Sequence, residues 1–243
     1  QLSDESNRIV RAVTGLALLA TVVLSVVALR ALHHTTSSPW LPLWDMAAHG
    51  VAGIHLADAL RTFNVPRFAL DLYHMAGWPP LFPILEAPIF LIYGVNYSVA
   101  TTLMATMGAA AIVAAFACGV AIGGTRGVIV GAVTASLLAA SPIVQQFSTV
   151  VMFEIVGLLL VLLCTAAYLR WARLRTARMW KLVCLSTVLL FFLKYNYGLL
   201  WMAALVVAWW RDFGRALVRE WLQAGLRRMR EHGLQWNRKS FRM

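Results

Sequence analysis

Three charged side chains interrupt long apolar stretches of this sequence: Glu86, Glu154 and Lys194. A charge at mid-membrane costs about 2.5–3.5 kcal/mol, so residues of this kind are functional candidates. A fourth candidate, Asp45, follows Trp44 in a polar segment, with His49 four residues on. That i, i+4 spacing puts both side chains on one face of a helix. A carboxylate there can take a proton from an acceptor hydroxyl or hold a divalent cation. The histidine can orient it, share the ion or bind a phosphate. Plainer roles stand beside these: Asp45 as a helix N-cap, His49 as an interfacial residue, Glu86 as the partner of a neighbouring helix, Lys194 as a snorkelling side chain. Trp40, Trp44 and Trp78 can stack on sugar rings or form an interfacial aromatic belt. The sequence has no P-loop, GxSxG, HExxH or CxxC pattern, so ATP-driven transport and zinc or serine hydrolysis gain no support.

The elements that position these residues follow from composition. Of 243 residues, 60% are hydrophobic and 13% charged, against about half and about a quarter in soluble domains. The apolar runs are continuous rather than alternating, which selects helices over a barrel. The sequence therefore predicts an all-α integral membrane protein. The net charge of +11 suggests nucleic acid at first, but its distribution argues against that partner. Nine of the 21 Lys and Arg lie in 211–243 and five in 170–181. These flank apolar runs, where basic residues mark cytoplasmic loops and meet anionic lipid headgroups. Cys118, Cys164 and Cys184 all sit inside apolar runs, so neither a disulfide framework nor a cysteine zinc site is indicated.

About seven hydrophobic segments are expected. The first, Val10 to Leu32, begins beside Arg8 and Arg11 and reads as a retained anchor with a cytoplasmic N-terminus. Residues 33–79 then form a long external loop holding five of the six histidines. Within it, 46–62 is expected to be a helix on the membrane surface, with Met46, Val51, Ile54 and Leu60 as its apolar stripe. The remaining segments are 81–95, 98–122, 127–141, 147–169, 181–193 and 197–210. Strict alternation would put the basic 170–181 outside, against the positive-inside rule. One incomplete crossing among the three segments between 81 and 141 removes the conflict. Segments 81–95, with Pro83, Glu86 and Pro88, and 127–141 are the short ones. Residues 211–243 read as a basic cytoplasmic tail or connector of a longer protein.

The order of these features resembles the GT-C superfamily of membrane glycosyltransferases, in the branch of protein O-mannosyltransferases and lipid A aminoarabinose transferases. The matching stretches are Leu43-Trp44-Asp45-Met46-Ala47-Ala48-His49, Trp78-Pro79-Pro80-Leu81-Phe82-Pro83 running to Tyr93-Gly94, Glu154 after Ser141-Pro142, and Phe192-Leu193-Lys194-Tyr195. They span roughly residues 10–210. Met46 stands where that family often has a second acid, and Trp78 where a charged residue often precedes the proline pair.

The resemblance implies an inverting transfer of a sugar from a polyprenyl phosphate to a hydroxyl of a glycan, lipid or protein, on the external face of a bacterial inner or plasma membrane. Asp45 would be the general base. Lys194, with His49 second, would stabilise the leaving phosphate, and Glu154 would orient the acceptor or the partners of Asp45. Trp44, Trp78, Lys194 and Tyr195 would bind substrate. The cofactor is left open, a divalent cation being the candidate. Asp45, His49, Glu154 and Lys194 are expected to converge on one cavity. Two other readings remain: a transporter or flippase using Glu86, Glu154 and Lys194 as gating or relay groups, and a non-catalytic subunit of an envelope assembly.

Overall fold

A computed structural model describes residues 45–75 and 79–214, with short pieces at 15–16, 220–221 and 223–224. The described residues are helical, with no strand among them. The expected first span lies outside them, as do Trp40, Trp44 and Trp78.

Nine helices follow one another among the described residues: α1 Asp45–Arg61, α2 Val65–His74, α3 Leu81–Tyr93, α4 Tyr97–Ile122, α5 Gly124–Ala140, α6 Pro142–Phe147, α7 Phe153–Leu174, α8 Ala177–Leu193 and α9 Tyr195–Trp209. Local chemistry sets their limits. The Asn96 side chain accepts from the Ser98 N–H at 2.9 Å and starts α4. Gly123, at φ +93°, ends it and turns the chain into α5. Asn64 caps α2 by accepting from Arg67 N–H, and Pro66 sits in its first turn.

Two of these helices, α4 with 26 residues and α7 with 22, are long and apolar enough to cross a membrane. At about 1.5 Å per residue they exceed the roughly 30 Å hydrocarbon core. The apolar helices α3, α5 and α9 are shorter. Seven crossings are therefore more than helix length alone supports.

α4 and α7 run parallel. Gly108 abuts Ser148 and Ile155, the Cys118 thiol donates to Leu162 O at 3.0 Å, and the Arg173 guanidinium donates to Ala121 O at 3.1 Å. Residue numbers rise together along both helices. The return between them is made by α5, packed antiparallel on α4 where Gly119 abuts Gly127 and Gly131, and then by α6. None of these three glycines leaves room for a side chain. Ile112 and Phe116 of α4 close this seam against Val128 and Ala135 of α5.

α3 does not run along the bundle. Phe82, Ala87 and Phe90, spread over its length, all join one core with Ala100 and Met104 at the start of α4 and with Val151, Phe153 and Ile155 at the start of α7. Phe82 meets Phe153 edge-to-face, and Phe90 shares a cleft with Tyr97, Ala100 and Val151, so both ends of α3 lie near the starts of α4 and α7. α1 runs parallel to α3, with His49 beside Phe82 and Gly53 against Glu86. Together α1 and α3 form a layer over one end of the bundle.

The helix expected over 46–62 is α1, but its buried face differs from the expected stripe. Val51 and Leu60 are exposed, whereas His49, Gly53, Leu56 and Ala57 are buried. The reason is size: Gly53 and Ala57 let α3 approach closely, and a stripe chosen by hydrophobicity passes over them. The helix with a one-sided apolar surface is α2. Its Phe68 and Leu72 pack on the core, Val65, Leu70 and Tyr73 face outward, and Arg67, Asp71 and His74 share one edge. Arg67 bridges to Asp58 at 2.8 Å and so ties α2 to α1.

Residues from Leu200 onward form a second unit. Besides the short pieces at 220–221 and 223–224, its described part is the end of α9 and a π-helical turn, Trp210–Gly214, where Phe213 faces Trp209 at 6.3 Å.

Candidate functional site

The candidate site lies where the α1–α3 layer meets the start of α7 and the end of α8. Glu154 is in the first turn of α7, and Lys194 is the residue that caps the end of α8. Because α8 runs back antiparallel to α7, the two meet: Lys194 Nζ donates to Glu154 Oε1 at 3.1 Å. Both side chains are partly exposed, 31% and 25%. Burial pulls the Lys194 ammonium down, but the hydrogen bond and charge of Glu154, with a further contribution from Tyr197, outweigh it and the net direction is up. Lys194 therefore remains a cation throughout the neutral range.

Tyr197, not Tyr195, faces this cation. Lys194 Nζ lies 4.9 Å from the centre of the Tyr197 ring, a cation–π distance. The Tyr195 ring packs at 5.1 Å from Phe191 instead. Gly157, one turn after Glu154, makes room for Tyr197, since any Cβ at 157 would run into that ring. A glycine three residues after the only acid in a long apolar run was the available signal in the sequence.

His49 is 4% exposed. Its ring packs on Phe153 with centroids 3.7 Å apart and meets Phe82 edge-on at 6.1 Å. Phe82 and Phe153 are themselves edge-to-face at 5.2 Å. The histidine of the polar segment thus sits against the residue that precedes Glu154. Asp45 opens α1 one turn before His49; its side chain lies outside what is described, as do Trp44 and Trp78. Among the described residues no group of three or more His, Cys, Asp or Glu is placed to hold a metal ion.

Two further features share this end. An apolar cleft of about 170 Å³ lies between α1, α3 and the start of α4, lined by Ala47, Val51, Ile54, Phe90, Tyr97 and Val151. Its size is similar to that of an apolar cavity of about 150 Å³ able to hold one benzene-sized fragment. Glu86 on α3 is fully buried, and neither carboxylate oxygen has a hydrogen-bond partner among the described residues. As α3 lies across the bundle rather than through it, this acid is outside the two long spans. Burial pushes its carboxyl up to about 8.

No protein-family model, curated protein or solved structure matches this chain.

The five acids of residues 45–199 gather at one end of the bundle. Asp58 and Asp71 lie in the α1–α2 pair, Glu86 in the layer, Glu154 at the start of α7, and Asp45 at the start of α1. At the other end, where α4 and α7 finish, Arg126, Arg170, Arg173, Arg175, Arg178 and Lys181 gather without an acid in the sequence near them.

Proposed function

We propose that the chain is the catalytic membrane portion of a glycosyltransferase that moves a sugar from a polyprenyl phosphate to a hydroxyl acceptor. What supports this reading is that Lys194 pairs with Glu154 while the preceding residue, Phe153, packs on His49, one turn after the Asp45 that opens α1, so segments up to 145 residues apart are brought to one end of the bundle. On this reading the acceptor oxygen attacks the anomeric carbon while its proton passes to the Asp45 carboxylate. The bond between that carbon and the phosphate oxygen breaks, and its electron pair leaves with the lipid phosphate. An alcohol needs such a base at neutral pH. The departing phosphate gathers charge that a nearby ammonium stabilises. Lys194 carries that role, held by Glu154 and Tyr197 until the phosphate arrives.

The same reading orients the chain. The Arg-rich end, with α4 and α7 parallel, faces the cytoplasm. The α1–α3 layer lies on the external face, with the outward apolar side chains of α2 in the interface. With α3 not crossing, the conflict between alternation and the basic 170–181 disappears.

The test is a transfer assay with a polyprenyl-phosphate sugar on membranes holding equal amounts of the wild-type protein and Asp45→Asn. Asparagine keeps the shape and removes the base, so a loss of about 100- to 10,000-fold is expected. Equal rates would remove Asp45 as the base and with it this function. The buried, unpartnered Glu86 favours a second reading, a proton-coupled transporter. Substrate flux in vesicles without any acceptor, abolished by Glu86→Gln, would select it.

A further inference from the structure

We propose that α1 is a lid over the end of the bundle where α4 and α7 start, held shut on α3 by the protonated carboxyl of Glu86 and released when that carboxyl ionises. The inference concerns the motion of α1 and does not rest on sugar transfer.

Three observations carry it. First, the seam between α1 and α3 closes on an acid. Glu86 is fully buried, and neither of its oxygens has a hydrogen-bond partner among the described residues. A Cβ at Gly53 of α1 would come within 2.7 Å of Glu86 Oε2 and 3.1 Å of the Phe90 ring. The helix therefore leaves no space for water beside the carboxyl. A neutral acid is tolerated there, whereas a carboxylate must regain water or find a cation. Burial holds the proton in place up to about 8.

Second, among the described residues no cation is bonded to this acid. On the buried face of α1 the titratable group is His49, stacked on Phe153, while His55 and Arg61 are exposed. Asp58 and Asp71 are held by Arg67. Tyr97 opens α4, Glu154 lies in the first turn of α7, and Lys194 at the end of α8 is bound to Glu154. Arg30, His33 and His34 lie outside the described residues, toward the same side of the membrane in the expected topology. A pairing of Glu86 with one of them is the alternative that the experiment decides.

Third, α1 has space to move. Its flank at Gly50, Val51 and Ile54 faces the apolar cleft of about 170 Å³. A Cβ at Gly50 would meet nothing within 4 Å, in contrast to Gly53. The helix is thus tight against the acid and loose toward the cleft. A sideways shift of about 3 Å, one water diameter, admits water to the carboxylate. Because α1 also carries Asp45 and His49, the shift takes His49 off Phe153 and parts the two sides of the candidate site. Opening releases one proton, so each pH unit between 4.5 and about 8 raises the ratio of open to closed by up to about tenfold.

The experiment places a thiol on the buried face of α1 by Leu56→Cys, with Glu86 intact and with Glu86→Gln. Both purified proteins meet a charged, water-soluble maleimide in neutral detergent from pH 5.5 to pH 8.5, and mass spectrometry locates the label. Dividing the two rates at each pH removes the thiol's own titration. At position 56 the ratio should rise by at least about tenfold over this range, while at the buried Cys164 of α7 it should stay constant. If Leu56→Cys does not fold, hydrogen exchange of the unsubstituted protein replaces it: α1 should lose protection relative to α7 by the same factor. A constant ratio at position 56, or constant relative protection of α1, means that Glu86 is ionised beside a partner throughout and overturns the proposal. A rise of equal size at Cys164 means that the whole bundle loosens, and overturns it as well.

Discussion

Lys194 donates to Glu154 across forty residues of sequence, joining the end of α8 to the start of α7. Neither side chain is fully buried, so the pair loses less on desolvation than a core ion pair would. Lys194→Met leaves a carboxylate facing the apolar start of α7 and should destabilise the protein by about 1–2 kcal/mol. Adding Glu154→Gln should restore part of that loss. A double-mutant cycle in denaturant checks it, and a coupling energy of zero would mean the pair is incidental.

The pH dependence of that coupling has a definite sign. The Lys194 ammonium is raised in the folded protein, so its contribution is fully present below the ordinary lysine value of about 10.5. It is lost as pH rises through the folded value. The wild-type advantage over Lys194→Met should hold flat from neutral pH to about pH 10 and shrink above it. A decline starting near pH 8 would contradict the raised ammonium.

Gly157 sets the position of Tyr197, and through it the face that Lys194 meets. Gly157→Leu should displace the ring and cost about 1–3 kcal/mol by overpacking. Tyr197→Phe keeps the ring and should stay within about 0.5–1 kcal/mol of wild type, whereas Tyr197→Leu should abolish the Lys194→Met coupling difference. Thermal unfolding of the three variants in one detergent separates these outcomes.

Helix positions were legible where capping chemistry is local. Asn96 and the Gly123-Gly124 pair bracket α4 within a residue or so of the apolar run. The start of α7 was less legible, because Phe147 to Met152 is as apolar as a helix yet only part of it is helical. The buried face of α1 was only partly legible: Ile54 of the expected stripe packs on the core, but the face also takes in Gly53 and Ala57, which carry little hydrophobic signal, and the polar His49. The transverse course of α3 could not be read from its own composition. It follows from Phe82 and Phe90 both reaching the starts of α4 and α7, a tertiary relation without a local signature. Tyr195 and Tyr197 flank Asn196 with equal claim in sequence; only the notch at Gly157 selects the second. At the candidate site, the meeting of α7 with α8 at Glu154 and Lys194 depends on antiparallel packing, which spacing does not encode.

Glu86 offers the sharpest test of the α1–α3 layer. Gly53 abuts its carboxylate so closely that a Cβ at 53 would come within 2.7 Å of Glu86 Oε2. No described residue gives either oxygen a hydrogen bond, so the neutral acid is the form the layer accommodates. Its carboxyl titrates near 8 in the folded chain against 4.5 for the ordinary side chain. Between those values the unfolded chain has released the proton and the folded chain keeps it. Stability from this group must therefore fall as pH rises from about 4.5 to 8, and level off above. Glu86→Gln cannot ionise. Its stability relative to wild type should improve steadily over that window, by a few kcal/mol in total, with the gain complete by about pH 9. Thermal unfolding of both proteins from pH 5 to pH 9 measures this. A constant difference across the range would mean that Glu86 is ionised throughout, and that the layer supplies it with a partner.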